Sequence, residues 1–140
     1  MKVAINKCHG VFGLSPEAIR LYCKKAGMSC YFFEITYKSE ASKYELVFEP
    51  TENPTGILRW RAFTVSNPKD HKDPYKYRFD DYFENDRVNK HLIETIEELG
   101  PKANGPFAEL KIVEVPDDVK WHIGEFDGTE WVAENHRKWN

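Results

Sequence analysis

Apolar and polar positions alternate along the chain in a way that predicts two helices among several strands. Runs of apolar and β-branched residues predict strands at 3–5, 28–37, 44–48, 57–65, 107–115, 119–126 and 129–133. Helical spacing begins after Ser15, a typical N-cap, and ends at Gly27. A second helix, capped by Asn85 or Asp86, is predicted to end at Gly100. This order predicts an α+β fold, with a mainly antiparallel sheet and two helices packed on one of its faces.

The segment at 66–86 shows no steady period, and Pro68 and Pro74 interrupt it, so we expect a long loop there. With 140 residues and 16.4 kDa, the chain has a common single-domain size, and we predict one domain over residues 1–140. The 41% hydrophobic content is too high for a disordered chain, although 31% of residues are charged.

The Asp-Gly pair at 127–128 is the strongest hairpin signal in the sequence. A two-residue turn there places Trp131 opposite Gly124, where the indole would cover the bare glycine backbone. It also places Glu125 opposite Glu130. Because like charges on facing positions are destabilising, either both glutamates point into solvent or the loop is longer than two residues.

Charge and cysteine content exclude several classes of protein. The 20 Lys and Arg against 23 Asp and Glu give a net charge of −3, so no overall field attracts nucleic acid or anionic lipid. We therefore expect neither a nucleic-acid nor a membrane partner. No apolar run is long enough for a signal peptide or a membrane span. Three cysteines without a C-x-x-C pair argue against a disulfide framework and indicate reduced thiols in the cytoplasm.

The segment at 6–15 is the first candidate for ligand binding. Gly10 and Gly13 allow close approach to the backbone, and the helix that follows leaves amides unpaired, so the pattern favours an anion. The predicted ligand-binding residues here are Asn6, Lys7, His9, Gly10, Gly13 and Ser15. The alternative is a tight strand-to-helix turn that Phe12 and Leu14 anchor in the core.

Two other segments could contribute to such a site. Residues 59–78 carry six basic and two acidic residues among aromatic ones, which suits phosphate contacts and base stacking. Residues 79–118 carry four basic and eleven acidic residues, so the two stretches could instead neutralise each other. The carboxyl-terminal tail is rich in tryptophan, which suggests docking onto the fold or a partner. The further predicted ligand contacts are Tyr75, Tyr77, Arg78, His136 and Arg137.

Enzymatic chemistry has weaker signals. A thiolate at Cys8 would need a base, and His9 is poorly placed because adjacent residues on an extended segment face opposite sides. Another histidine, such as His136, would therefore be needed. The spacing of Cys8, His9, His122 and His136 resembles no metal-ligand pattern. We therefore expect no metal and no cofactor.

Both ends of the chain resemble a widespread family of small phage and prophage proteins whose activity is uncharacterised. The likeness lies in I-N-K-C-H-G-V-F-G-L-S at 5–15, I-E-E-L-G at 96–100, A-N-G at 103–105, L-K-I-V-E-V-P-D at 110–117 and E-F-D-G-T-E-W-V-A-E-N-H-R-K-W at 125–139. The resemblance implies a phage accessory protein that works in the cytoplasm of a bacterial host cell.

Three functional hypotheses follow, in this order. The first is a non-enzymatic binder that inhibits host antiviral defence by sequestering a small anionic, nucleotide-like signal. The second is a protein-interaction module whose acidic stretch meets a basic host protein. The third is a hydrolase that uses the Cys8 thiol, or His9 with His136. Exposed aromatic residues also suit a homodimer interface.

Overall fold

The computed structural model describes residues 1–40, 43–54 and 60–135. The strands are β1 (Lys2–Asn6), β2 (Tyr31–Glu40), β3 (Lys43–Pro50), β4 (Trp60–Phe63), β5 (Leu110–Glu114), β6 (Trp121–Phe126) and β7 (Thr129–Glu134), and the helices are α1 (Pro16–Ala26) and α2 (Lys90–Leu99). The strand pairs are antiparallel. The predicted α+β class with mainly antiparallel pairing is therefore confirmed. None of the described helices is long and apolar enough to cross a membrane.

The strands are divided among three sheets, with the orders β1-β5, β3-β2-β4 and β6-β7. The chain also divides into two compact units. The first unit comprises Met1–Tyr22 and Asp81–Asn140, and the second comprises Cys23–Asp80. Helix α1 begins in the first unit and ends in the second. That residues 1–140 act as a single domain stays a prediction.

In the first unit the β1-β5 ladder is covered on both faces. Because alternate residues of a strand face opposite sides, Val3 and Ile5 share one face, where they form a core cluster with Val115. The residues packed against this cluster are Val113, Val119, Trp121, Ile123 and Val132. On the opposite face, Lys2 forms an ion pair with Glu97 of α2 at 2.9 Å. The ladder thus lies between α2 and the β6-β7 hairpin.

The second unit is built around an aromatic cluster. Phe33 of β2 and Phe63 of β4 are buried, and their rings meet edge to face with centroids 5.7 Å apart. Phe48 of β3 contacts both rings. After β4 the chain forms two short 3-10 turns, at Pro68–Asp70 and Pro74–Tyr77, within the segment predicted to be a loop.

Helix α1 has the predicted ends, because the Ser15 hydroxyl accepts a hydrogen bond from the Ala18 amide at 3.2 Å and Gly27 adopts a φ of 70°. The predicted start of α2 is wrong. Asn89, rather than Asn85 or Asp86, caps this helix: its Oδ1 accepts from the amides of His91 and Leu92 at 2.9 and 3.2 Å. The preceding residues instead form a turn in which the Asn89 amide donates to Asp86 O at 3.2 Å.

Most predicted strands are found within about three residues of their expected bounds. The strand β2 is displaced by three residues at both ends, and β5 begins three residues late, at Leu110, because residues 107–109 turn towards the loop at 7–15. Residues 57–59 of the predicted fourth strand lie outside the described residues.

Candidate functional site

The loop at 7–15, which joins β1 to α1, is hydrogen-bonded to other parts of the first unit along its length. Four of its amides donate to protein oxygens at 2.8 to 3.1 Å: Lys7 to Glu109, Val11 to Phe107, Leu14 to Asp81 and Ser15 to Ala103. These donors are therefore not available to a ligand. The expectation that the loop presents unpaired amides to an anion is wrong for these four residues.

The glycines of this loop serve close contacts between backbone segments. A Cβ on Gly10 would collide with the Phe107 carbonyl, and a Cβ on Gly128, where φ is +87°, would collide with the backbone of Gly10. A Cβ on Gly105 would lie 2.9 Å from the backbone of Gly13. Phe12 and Leu14 are 3% and 1% exposed. The loop thus has the geometry of the alternative interpretation, a tight turn anchored in the core.

Asn6 joins the loop to the hairpin and to the chain before β5. Its side chain is buried, and Nδ2 donates to Cys8 O at 3.0 Å and to Gly128 O at 2.8 Å. Its Oδ1 accepts from the Glu109 amide at 2.9 Å and from the Cys8 amide at 3.4 Å. Because these contacts use the hydrogen-bonding capacity of a carboxamide, Asn6 acts as a buried connector.

A buried ion pair joins Arg87 to Glu130 of β7. The guanidinium donates to both carboxylate oxygens, at 2.7 and 3.1 Å, and the two side chains are 4% and 5% exposed. Its Nε donates to the carbonyls of Tyr82 and Phe83, each at 3.1 Å. The Arg87 Cζ atom also lies 3.7 Å from the centroid of the Phe12 ring. Such a satisfied, bidentate pair fixes the positions of the segments that carry it.

The same ion pair satisfies the outer edge of β1. The Ala4 amide donates to Arg87 O at 2.8 Å, and Arg87 Nη1 donates to Ala4 O at 3.3 Å. The Asn6 amide donates to Glu130 Oε1 at 2.8 Å. Backbone groups that a neighbouring strand would otherwise pair are thus paired by one arginine and one glutamate.

The hairpin has the predicted register, with Trp131 opposite Gly124 and Glu125 opposite Glu130. The loop has two residues at positive φ, Asp127 and Gly128, as a type I′ turn requires. Neither expectation about the glutamates is correct. Glu130 is buried against Arg87, while the Glu125 carboxylate accepts from the Gly128 amide at 2.5 Å, so the like charges are separated by different partners.

The first unit holds the predicted site residues of the loop. Among them, Lys7 and His9 are exposed, and His9 Nδ1 lies 3.2 Å from Thr129 Oγ1 and 3.9 Å from Asp127 Oδ2. Ser15 is occupied as the cap of α1.

The remaining predicted contacts are not in this loop. In the second unit Tyr75 packs against the aromatic cluster, Tyr77 lies 4.2 Å from the His71 ring, and Arg78 is exposed. His136 and Arg137 lie outside the described residues. Ligand binding by these five residues stays a prediction.

For Cys8 a thiol hydrolase stays a prediction, because the candidate base His136 lies outside the described residues. The Cys8 Sγ donates to Phe107 O at 3.2 Å and to Asn6 Oδ1 at 3.4 Å, whereas His9 faces Thr129. A nucleophile and its base need direct contact. Within the described part of the chain, no group of three His, Cys, Asp or Glu side chains could hold a metal ion.

The outer face of the β6-β7 hairpin presents two aromatic side chains. The Trp131 indole covers Gly124, as the sequence predicts, whereas Phe126 had no predicted role. Four residues share this face because they form two facing pairs of the ladder: Gly124 with Trp131, and Phe126 with Thr129. Phe126 is 72% exposed and Trp131 44% exposed. The sequence does contain a signal for this orientation. Side chains alternate between the two faces of a strand, and Phe126 lies three positions after the inward-facing Ile123, so it points outward.

The surroundings of this face are apolar, and the unit that carries it has an acidic surface. Val11 and Phe107, each 47% exposed, are joined by a backbone hydrogen bond of 3.0 Å and lie beside Gly10, which contacts the hairpin turn. Asp127 directly follows Phe126 and is exposed. Over the described residues of the first unit, exposed Asp and Glu outnumber exposed Lys and Arg by twelve to seven.

Comparison of the chain with protein-family models, with curated protein sequences and with solved structures finds no match.

Proposed function

We propose that this protein is a non-enzymatic binding module that recognises a basic partner protein through the outer face of the β6-β7 hairpin. The observation that carries the proposal is the exposure of Phe126 and Trp131 on a strand pair whose inner side is fixed by the Arg87–Glu130 ion pair. Rigid aromatic side chains lose little conformational freedom on binding and are common anchors of protein interfaces.

The charge of the first unit indicates the chemistry of the partner. Acidic side chains are in excess on its described surface, and Asp127 lies next to Phe126, which is 72% exposed. A partner that presents lysine or arginine around an apolar segment would be attracted at long range and would then bury the rings. In the setting implied by the resemblance to phage proteins, that partner is a host protein, and binding would inhibit host antiviral defence.

Sequestration of a nucleotide-like signal receives less support. Four amides of the 7–15 loop already donate to protein oxygens, and Phe12 and Leu14 fill the space beneath the loop. Isothermal titration calorimetry with a panel of cyclic and linear nucleotides separates the two functions. Saturable heat with any nucleotide would favour sequestration over partner recognition.

The direct test compares three forms of the tagged chain as bait in a bacterial lysate. Phe126→Ser removes the most exposed aromatic ring of the hairpin. Tyr37→Ser removes a ring of equal exposure, 71%, from the second unit and is the matched control. We expect a captured protein that is retained by wild type and Tyr37→Ser and lost from Phe126→Ser, while thermal unfolding shows all three baits folded.

The captured protein must then bind when purified. Because salt shortens the Debye length from about 10 Å at 0.1 M to about 3 Å at 1 M, its affinity should fall as salt is raised. Equal retention by Phe126→Ser, or affinity that does not change with salt, would contradict the proposal.

A further inference from the structure

The β1-β5 sheet has only two strands, so each strand has an outer edge. At both ends of this antiparallel ladder the odd-numbered residues are hydrogen-bonded to each other: the Lys7 amide donates to Glu109 O, and the Val115 amide donates to Met1 O, each at 2.8 Å. Because bonded pairs recur at every second residue of a strand, the backbone groups of the even-numbered residues point away from the ladder.

The two edges differ in what pairs these outward groups. On β1 three of them are bonded to the buried arginine and glutamate described above. On β5 the Leu110 amide donates to Asn104 Oδ1 at 2.9 Å. The amides and carbonyls of Ile112 and Glu114 have no hydrogen-bond partner in the part of the chain that the structure describes. Such an edge is a template for one more strand.

A second copy of the chain presents the same four groups, and one antiparallel register uses them all. When Ile112 lies opposite Glu114 of the second copy, each amide meets a carbonyl of the facing residue. A two-fold axis then passes between the two Val113 residues, which face each other. The register that sets Ile112 against its own equivalent is poorer, because it brings Glu114 opposite Leu110, whose amide already donates elsewhere.

We propose that two copies of this chain join at β5 into one four-stranded antiparallel sheet with the order β1-β5-β5-β1. The outer edges of that sheet are the two β1 edges, where the Arg87–Glu130 ion pair already bonds backbone groups. Strand addition therefore stops at two copies, and the symmetry is closed. The two Val113 side chains meet on the face of the sheet that carries the core cluster.

Native mass spectrometry of the full chain and of two variants at one position tests this contact. Wild type should give a species of twice the 16.4 kDa chain mass as the protein concentration rises. Glu114→Pro removes one outward amide and places the proline ring in the path of a facing strand, but it leaves the bonds to β1 in place, so we expect the single-chain mass. Glu114→Thr keeps the amide and should keep the dimer. Thermal unfolding should show both variants folded.

Hydrogen exchange of wild type gives a second readout that needs no variant. The amides of Ile112 and Glu114 should exchange quickly in dilute protein and become protected as the dimer forms, whereas the bonded Leu110 amide is protected throughout. Phe126→Ser, on the hairpin, should leave the dimer in place.

Four results would overturn the proposal. They are a dimer that persists in Glu114→Pro, a dimer that is lost in Phe126→Ser, a dimer in which the amides of Ile112 and Glu114 stay unprotected, and a wild-type chain that stays single at every concentration. The last result would leave this edge to a strand of another protein.

Discussion

Arg87 connects more parts of the first unit than any sequence pattern indicates. Its backbone and side chain contact β1, its guanidinium binds Glu130 and two carbonyls, and its plane lies over Phe12. An arginine at the edge of a predicted helix is ordinarily a solvated residue. Only the tertiary structure pairs it with a glutamate 43 positions away.

Removing one member of this pair should destabilise the protein strongly. Arg87→Met leaves the Glu130 carboxylate buried without its partner, and we expect a loss of about 3–5 kcal/mol in the free energy of unfolding. The double variant Arg87→Met with Glu130→Leu should lose less than Arg87→Met alone, because no buried charge is left. Urea unfolding of the single and double variants measures both, and additive losses would contradict this account.

The contact between the hairpin turn and the loop at 7–15 can be tested by comparing two glycines at positive φ, Gly27 and Gly128. In Gly27→Ala nothing lies within 4 Å of the new Cβ, so only backbone strain of roughly 1–2 kcal/mol applies. In Gly128→Ala the same strain is joined by collision with Gly10, and overpacking adds about 1–3 kcal/mol. Equal losses in thermal or urea unfolding would show that Gly10 and Gly128 are not packed against each other.

At the scale of secondary-structure elements, the sequence correctly indicates the features that depend on contacts between neighbouring residues. Ser15 and the Asp-Gly turn each act on residues within three positions, and both were predicted correctly from the sequence. The start of α2 was not predicted correctly. Asn85 and Asn89 are both suitable N-cap residues, and the spacing of apolar residues alone does not decide which of them caps the helix. The choice depends on distant contacts: Asn89 also donates to the Tyr22 hydroxyl at 3.2 Å.

The helix cap can be tested with these two asparagines. Asn89→Ala removes the acceptor of the first amides of α2, and we expect a loss of about 1–2 kcal/mol in the free energy of unfolding. Asn85→Ala, at the predicted cap position, should change stability by less than about 0.5 kcal/mol, as exposed substitutions usually do. Chemical denaturation of the two variants decides between the caps, and a larger loss from Asn85→Ala would restore the predicted start.

At the scale of the whole molecule, the fold class followed from the order of periodic segments, but the candidate site did not. A glycine-rich turn before a helix suggests a ligand when seen alone, whereas its amides bond to Asp81 and to residues 103–109, far along the chain. The exposure of Phe126 was not predicted for a related reason: the sequence indicates the period of a strand but not which of its faces is covered.

A homodimer stays a prediction of the sequence, and the hairpin face gives it a testable form. Native mass spectrometry should show a species of twice the 16.4 kDa chain mass if the protein self-associates. If Phe126 and Trp131 form that contact, Phe126→Ser should yield the single-chain mass at the same concentration, and Tyr37→Ser should not. A dimer that persists in Phe126→Ser would exclude this face as the contact between copies.

The arginine and glutamate that pair the outer side of β1 also bear on how the protein fails. An uncovered strand edge is a template on which another chain can add a strand, and repeated addition leads to fibrous or amorphous aggregates. Two residues here block that growth without any extra stretch of sheet, Arg87 through its carbonyl and guanidinium and Glu130 through its carboxylate. Chains that lose the pair should therefore lose colloidal stability as well as folding stability, and turbidity should rise with protein concentration in conditions where the parent protein stays clear.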